Sequence, residues 1–293
     1  MDFNDLLRQA GFDPATVIVL RHRPYEEQLH RVLPWLAAER QDLFNAYQQV
    51  QSARLEASML RASHLASFIG HAPGKALFVG LYAIGAAETL THDDFWARPA
   101  HEELGAYGYL GFTEAEAATR PTVLSFDLAL KPFYPAWKGR LVIGFPPPER
   151  SWWRRAHKGA FPIEAIHEDS ALDAAMPPWN EIDLSWTDLK ALPTRWRNAM
   201  AQWRGVYLIF DTADGKAYVG SAYGADNILG RWLGYAATGH GDNRLLRGRD
   251  PTGFRFTILQ TVPLDMPSDA VIAIETNWKR RLHTAQPFGL NAN

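Results

Sequence analysis

GVYLIFDTADGKAYVG, residues 205–220, holds two β-prone runs around a turn. Gly205 to Phe210 and Lys216 to Gly220 are rich in β-branched and aromatic side chains, and Asp211-Thr212-Ala213-Asp214-Gly215 between them carries turn chemistry. Asp and Gly at such positions reverse the chain, so the stretch predicts a β-hairpin. Each arm carries a Gly and a Tyr in one tripeptide, GVY and YVG.

The segments downstream of the hairpin give it meaning. Asp226 is placed to cap a helix running through Tyr235, because Asp accepts the free N–H groups of a first turn. On that helix Arg231 and Tyr235 are four apart and share one face. Phe254 to Leu259 alternates as a strand does. Ser268 or Asp269 then opens a second helix with Val271, Ile274, Trp278 and Leu282 as its apolar stripe and Glu275 beside that stripe. A carboxylate there is either solvated or turned toward a site. Asn291 lies near the end.

In this order the residues resemble the GIY-YIG nuclease family, over residues 204–293. The match consists of the two tripeptides, an Arg with Tyr four residues later, a Glu on a later helix and a final Asn. Val206 and Val219 stand where many members carry Ile, a harmless exchange in a strand. The resemblance implies a small α/β sandwich around a three-stranded antiparallel sheet. It also implies hydrolysis of phosphodiester bonds with one divalent cation, Mg²⁺ or Mn²⁺ in its place.

The same resemblance assigns roles. Glu275 would hold the metal, a hard cation that takes oxygen ligands and keeps several waters. Arg231 would present its fork of donors to the phosphate, where charge develops. Tyr207 is the family's candidate for activating the attacking water, although an ordinary phenol near pKa 10 is scarcely ionised at neutral pH. Tyr218 and Tyr235 are alternatives for proton transfer or phosphate contact, while Tyr218 also reads as a core aromatic and Tyr235 as a ring on the helix surface. Asn291 would brace the site by hydrogen bonds.

Composition bounds the rest. At 293 residues, with 47% hydrophobic and 21% charged residues, the chain has the make-up of a soluble protein long enough for two domains. It has no cysteine, which excludes disulfides and thiolate zinc sites. The start lacks a signal-peptide pattern, and the longest apolar stretch, residues 76–87, is too short to span a bilayer. A cytoplasmic protein without membrane contact is expected. Net charge is −2. Residues 200–293 carry 10 Lys+Arg against 8 Asp+Glu, and the remainder 20 against 24. Phosphate binding must therefore come from local clusters such as Arg244, Arg247, Arg249 and Arg255, a group that reads equally as a solvated face.

The first part of the chain reads as helix and then sheet. Phe3, Leu6 and Leu7 make a short amphipathic start, and Val17-Ile18-Val19-Leu20 is an apolar run. Residues 26–60 have helical periodicity, broken or kinked at Pro34. Residues 66–70, 76–84, 122–130, 140–145 and 161–166 read as strands. Arg150-Ser151-Trp152-Trp153-Arg154-Arg155 interleaves rings and guanidinium groups, as base-stacking platforms do. It also reads, more simply, as tryptophans packed on the domain with arginines in water. Pro146-Pro147-Pro148 is a stiff loop.

The expectation is thus α+β with two domains. Residues 1–176 form a helix-then-β-rich unit with a curved sheet or small barrel, serving substrate recognition and able to accommodate a flipped base. Residues 177–203 form a helical junction rich in tryptophan, and residues 204–293 the nuclease unit. The expected function is a DNA endonuclease of restriction type, the first domain selecting sequence or modification. The alternatives are a structure-directed repair or recombination nuclease, and a nucleic-acid-binding protein with an inactive nuclease module. One active site per chain means that a double-strand break needs two visits or a homodimer.

Overall fold

Asp2 opens the first helix, α1 (Phe3–Gln9). Its carboxylate accepts the Asn4 N–H at 2.9 Å while Asp5 reaches back to the Asp2 N–H at 3.0 Å. The face so presented buries Phe3, Leu6 and Leu7. The computed structural model describes residues 1–147, 152–173, 175–224 and 227–292. Its contacts separate into two units, Met1–Asp173 and Ala174–Asn293. Pro148, Arg150, Ser151 and the expected helix cap Asp226 lie outside the described residues.

In the first unit the apolar run becomes β1 (Val17–His22), buried at all six positions. Continuous burial suits a strand with a parallel neighbour. Three helices, α2 (Glu27–Glu39), α3 (Gln41–Gln49) and α4 (Ala53–Met59), then carry the chain to β2 (His64–Gly70), parallel to β1. β3 (Lys75–Thr91) turns back against β2. Short helices α5 (His92–Trp96), α6 (Pro99–Gly105) and α7 (Glu114–Thr119) precede β4 (Thr122–Lys131), β5 (Leu141–Gly144), β6 (Trp153–Arg155) and β7 (Ile163–Ile166). The strand order is β6-β1-β2-β3-β5-β7, with β4 also on β3, in a curled half-barrel sheet.

Two expectations change here. The helices and strands are mixed through a β1–helices–β2 crossover, where helix followed by sheet was expected. The helix does not break at Pro34: α2 runs through it and ends at Arg40 (φ −124°, ψ 63°). Burying Leu29, Val32, Leu33 and Leu36 contributes about 1.5–3 kcal/mol each, which outweighs the roughly 3 kcal/mol cost of an internal proline. The described part of the Trp-Arg segment is partly packed. Trp153 packs on the core, and Arg154 donates to the carbonyls of Trp153 (2.9 Å) and Pro146 (3.3 Å) and lies over the Phe145 ring. Arg155 belongs to the same edge strand, and Trp152 is exposed.

The second unit begins with β8 (Asp183–Ser185), α8 (Trp186–Lys190) and α9 (Thr194–Met200). β9 (Arg204–Asp211) and β10 (Ala217–Ala222) form the hairpin, followed by α10 (Asn227–Thr238), β11 (Phe254–Val262) and α11 (Ser268–Arg281). The sheet is antiparallel in the order β10-β9-β11-β8. It has four strands, not three, because the segment expected as a helical junction supplies β8. Trp179, Trp186, Trp196 and Trp203 all pack into this unit's own core. The stripe on α11 is also weaker than its spacing suggested: Val271 is buried, but Leu282 is 41% exposed. Among the described residues no helix is long and apolar enough to cross a membrane.

Candidate active site

Two glycines make the hairpin possible. A Cβ on Gly205 would lie 2.0 Å from the Gln260 carbonyl oxygen of β11. A Cβ on Gly220 would lie 2.6 Å from the Tyr207 hydroxyl and 2.9 Å from the Tyr218 ring. Gly220 sits opposite Tyr207 in the β9–β10 register, so the Tyr207 ring lies across the strand where a side chain would otherwise be. Gly205 thus lets β9 and β11 approach, and Gly220 makes room for two phenols side by side.

Helix α10 brings the third phenol. Ile228, Trp232 and Tyr235 form its buried face. The Tyr235 and Tyr207 hydroxyls are 3.3 Å apart, and the rings of Tyr207, Tyr218 and Tyr235 lie 6.2–6.5 Å from one another. The Arg231 guanidinium faces the Tyr207 phenol, whose nearness, with that of the other two phenols, raises the Arg231 pKa. Burial pushes Tyr207 up to about 12, with Tyr218 adding to the rise and Arg231 opposing it. Burial, followed by the Tyr207 and Tyr218 phenols, also raises Tyr235. Tyr207 and Tyr235 are fully buried, whereas Tyr218 is only partly so.

Glu275 approaches from the other side of the sheet. Side chains alternate along a strand, so Ser221 projects from the face of β10 opposite to Tyr218. Ser221 Oγ donates to Glu275 Oε2, and Lys279 Nζ lies 2.7 Å from Glu275 Oε1. Strand β10 is an edge of the sheet, and the two faces meet around that edge. A cleft of about 330 Å³ runs there, lined by Tyr218, Arg231, Asp242, Asn243, Lys279 and Asn291. Asn291 is buried and spans Val219 of β10. Its Oδ1 accepts the Val219 N–H at 3.0 Å and its Nδ2 donates to the Val219 carbonyl at 2.8 Å. The carboxamide therefore fixes the backbone between Tyr218 and Gly220.

The expected arginine cluster divides. Arg249 is tied to the buried Asp211 at 2.5 Å and to Asp214 at 3.0 Å. Arg255 forks onto Asp183 of β8 at 2.6 and 3.0 Å. Both pairs hold the sheet and its turn together. Arg244 and Arg247 are exposed, Arg247 with only a 3.9 Å approach to Asp242.

Among the described residues no group of three or more His, Cys, Asp or Glu stands together as a metal cage. The donors that do meet, a Glu275 carboxylate and the Ser221 hydroxyl, are oxygens next to Lys279, which lines the cleft. They fit Mg²⁺, which is commonly held by one or two carboxylates with waters and substrate phosphate. Lys279 and Ser221 escaped the sequence reading. The Glu275–Lys279 spacing of four was visible, but such pairs are ordinary on helix surfaces, and nothing in the sequence marks the pair as half-buried. Compared with family models, with curated proteins and with solved structures, the chain matches none of them.

Proposed function

We propose that the second unit is a GIY-YIG-type nuclease that hydrolyses phosphodiester bonds of DNA with one divalent cation, Mg²⁺ or Mn²⁺. The observation that supports this best is the cleft at the edge of β10. Two cations, Arg231 and Lys279, flank a partly buried phenol there, with a carboxylate one helical turn behind. A phosphodiester is the substrate that asks for fixed positive charge beside an oxygen-ligated cation.

When bound at Glu275, the metal would supply Lewis-acid polarisation of the phosphate and stabilise the leaving oxygen. The chain's own groups do the rest. Arg231 binds non-bridging oxygens and stabilises their charge. Tyr218, whose ring lines the cleft, positions the attacking water and, in its phenolate form, accepts the water's proton. Tyr207 and Tyr235, too buried to ionise readily, hold Arg231 and the Tyr218 ring in place. Asn291 keeps β10 from shifting under them.

Substrate selection is assigned to the first unit. Residues 1–173 carry 17 Lys+Arg against 21 Asp+Glu, whereas residues 174–293 carry 13 against 11. Sequence-independent affinity therefore resides in the nuclease unit. Supercoiled plasmid with a Mg²⁺ titration tests the reading: Glu275→Ala should abolish nicking, and Arg231→Ala should lower the rate by about 10²–10³. Undiminished cutting by either variant removes the site assignment. Flaps and junctions against linear duplex at matched salt separate a structure-directed from a sequence-directed enzyme.

A further inference from the structure

We propose that Lys279 is a built-in counter-cation of the metal site, one that must leave Glu275 before a divalent ion can be held there. This rests on the nuclease reading for its biological meaning but not for its measurement. Helical Glu–Lys pairs four apart are usually solvated and interact weakly. This one is different: the Lys279 and Glu275 side chains are only 18% and 15% exposed. Partial burial reduces screening, so the ammonium competes more strongly for the carboxylate than a surface partner would.

Both carboxylate oxygens are engaged, Oε2 by Ser221 and Oε1 by Lys279. The two partners differ in kind. A hydroxyl can stay bonded to a carboxylate that also ligates a metal, since each oxygen has two acceptor directions. An ammonium 2.7 Å away adds a full positive charge where a second cation would arrive. Lys279 also lines the cleft that Arg231 shares, so a substrate phosphate entering there offers it another anion. Its four-carbon stem gives it the reach to change partners.

Divalent cation and nucleic acid are then positively linked through one side chain. A phosphate draws Lys279 off Glu275 and opens the carboxylate; by reciprocity, a metal at Glu275 releases Lys279 to the phosphate. The device disfavours an idle metal in the absence of substrate.

Mn²⁺ alone, titrated into the full chain by calorimetry or by the electron paramagnetic resonance of free Mn²⁺, is the probe. Lys279→Met keeps the apolar stem and removes the charge, and should tighten Mn²⁺ by at least about tenfold, within the range of ordinary coupling energies. Lys279→Arg, which retains charge, should bind as the unchanged protein does. Adding Glu275→Gln to Lys279→Met should abolish the gain. A Lys279→Met protein of unchanged urea midpoint that binds Mn²⁺ no more tightly overturns the proposal. So does a gain that survives Glu275→Gln. If Mn²⁺ tightens through Glu275 but no DNA is cut, the counter-cation stands and the nuclease reading falls. If DNA is cut and Mn²⁺ affinity does not change, only the counter-cation falls.

Discussion

Replacing Tyr207 and Tyr218 by Phe, one at a time, separates support from chemistry. Burial pushes the Tyr207 phenol to about 12. At pH 8 about one molecule in 10⁴ would then carry the phenolate, against about one in 10² for an ordinary tyrosine. A pre-ionised Tyr207 therefore begins with a deficit of about 5.5 kcal/mol, at about 1.4 kcal/mol for each of four pH units. Its hydroxyl is also committed to Tyr235 at 3.3 Å beneath the cleft. Tyr218 is only partly buried and lines the opening itself.

Tyr218→Phe is expected to slow cleavage by about 10²–10⁴, the usual worth of a positioned proton acceptor. Tyr207→Phe should cost about 1 kcal/mol of stability through its lost hydrogen bonding and less than about tenfold in rate. The measurement is single-turnover nicking of supercoiled plasmid from pH 6.5 to 9.5 at saturating Mg²⁺, with urea midpoints for each variant. The reasoning fails if Tyr207→Phe is the inactive protein and the unsubstituted rate keeps rising tenfold per pH unit to the top of the range. That pattern belongs to Tyr207 acting as the ionised base.

Other sites yield further expected outcomes. Gly220→Ala forces a Cβ to within 2.6 Å of the immobile Tyr207 hydroxyl and should destabilise by about 1–3 kcal/mol. Gly234→Ala in α10 meets nothing within 4 Å and should instead stabilise by about 0.5–1 kcal/mol; thermal melts compare the two. His22 is buried against Ser67 at 2.9 Å, and burial lowers its pKa to about 4. Between that value and the unfolded 6.5 only the unfolded chain takes the proton, so stability falls as pH drops through this window. About 2 kcal/mol should be lost between pH 7 and 5, a loss that His22→Gln should largely remove in urea titrations at the two pH values. Arg249→Ala leaves the carboxylate of Asp211, which is 2% exposed, with the Ala213 N–H but without its counter-charge, and should cost about 2–3 kcal/mol with little change in DNA affinity. Arg244→Ala should do the reverse, keeping stability and reducing the salt slope of DNA binding by about one.

The features that the sequence revealed and those it hid differ for physical reasons. The hairpin was legible because its glycines and tyrosines are local demands: two backbones approach, and two rings need the space. The Arg231–Tyr235 face was legible from helical spacing alone. Strand β1 is a bare apolar run in the sequence because four buried residues have no period, and its partner β2 lies more than forty residues away. Strand β8 was hidden by flanking tryptophans that suit a helix equally well. The Arg249 and Arg255 pairs were unreadable, since Asp211 and Asp183 meet them only after folding. Lys279 looked like any solvated helix lysine because its partial burial depends on the neighbouring strand.

Asn291 offers a last consequence. An edge strand normally advertises unpaired donors and acceptors to any passing chain. Here the Leu290 N–H bonds the Ala217 carbonyl, and the Asn291 carboxamide answers both groups of Val219. An amide side chain can imitate a peptide unit because it offers one donor face and one acceptor face in the same plane. The rim of the sheet is thereby sealed at the point where the cleft must stay open, by a plug two residues long rather than by another strand. Aspartate would keep the shape and lose the donor, leaving the Val219 carbonyl facing an anion and the rim open to strand addition.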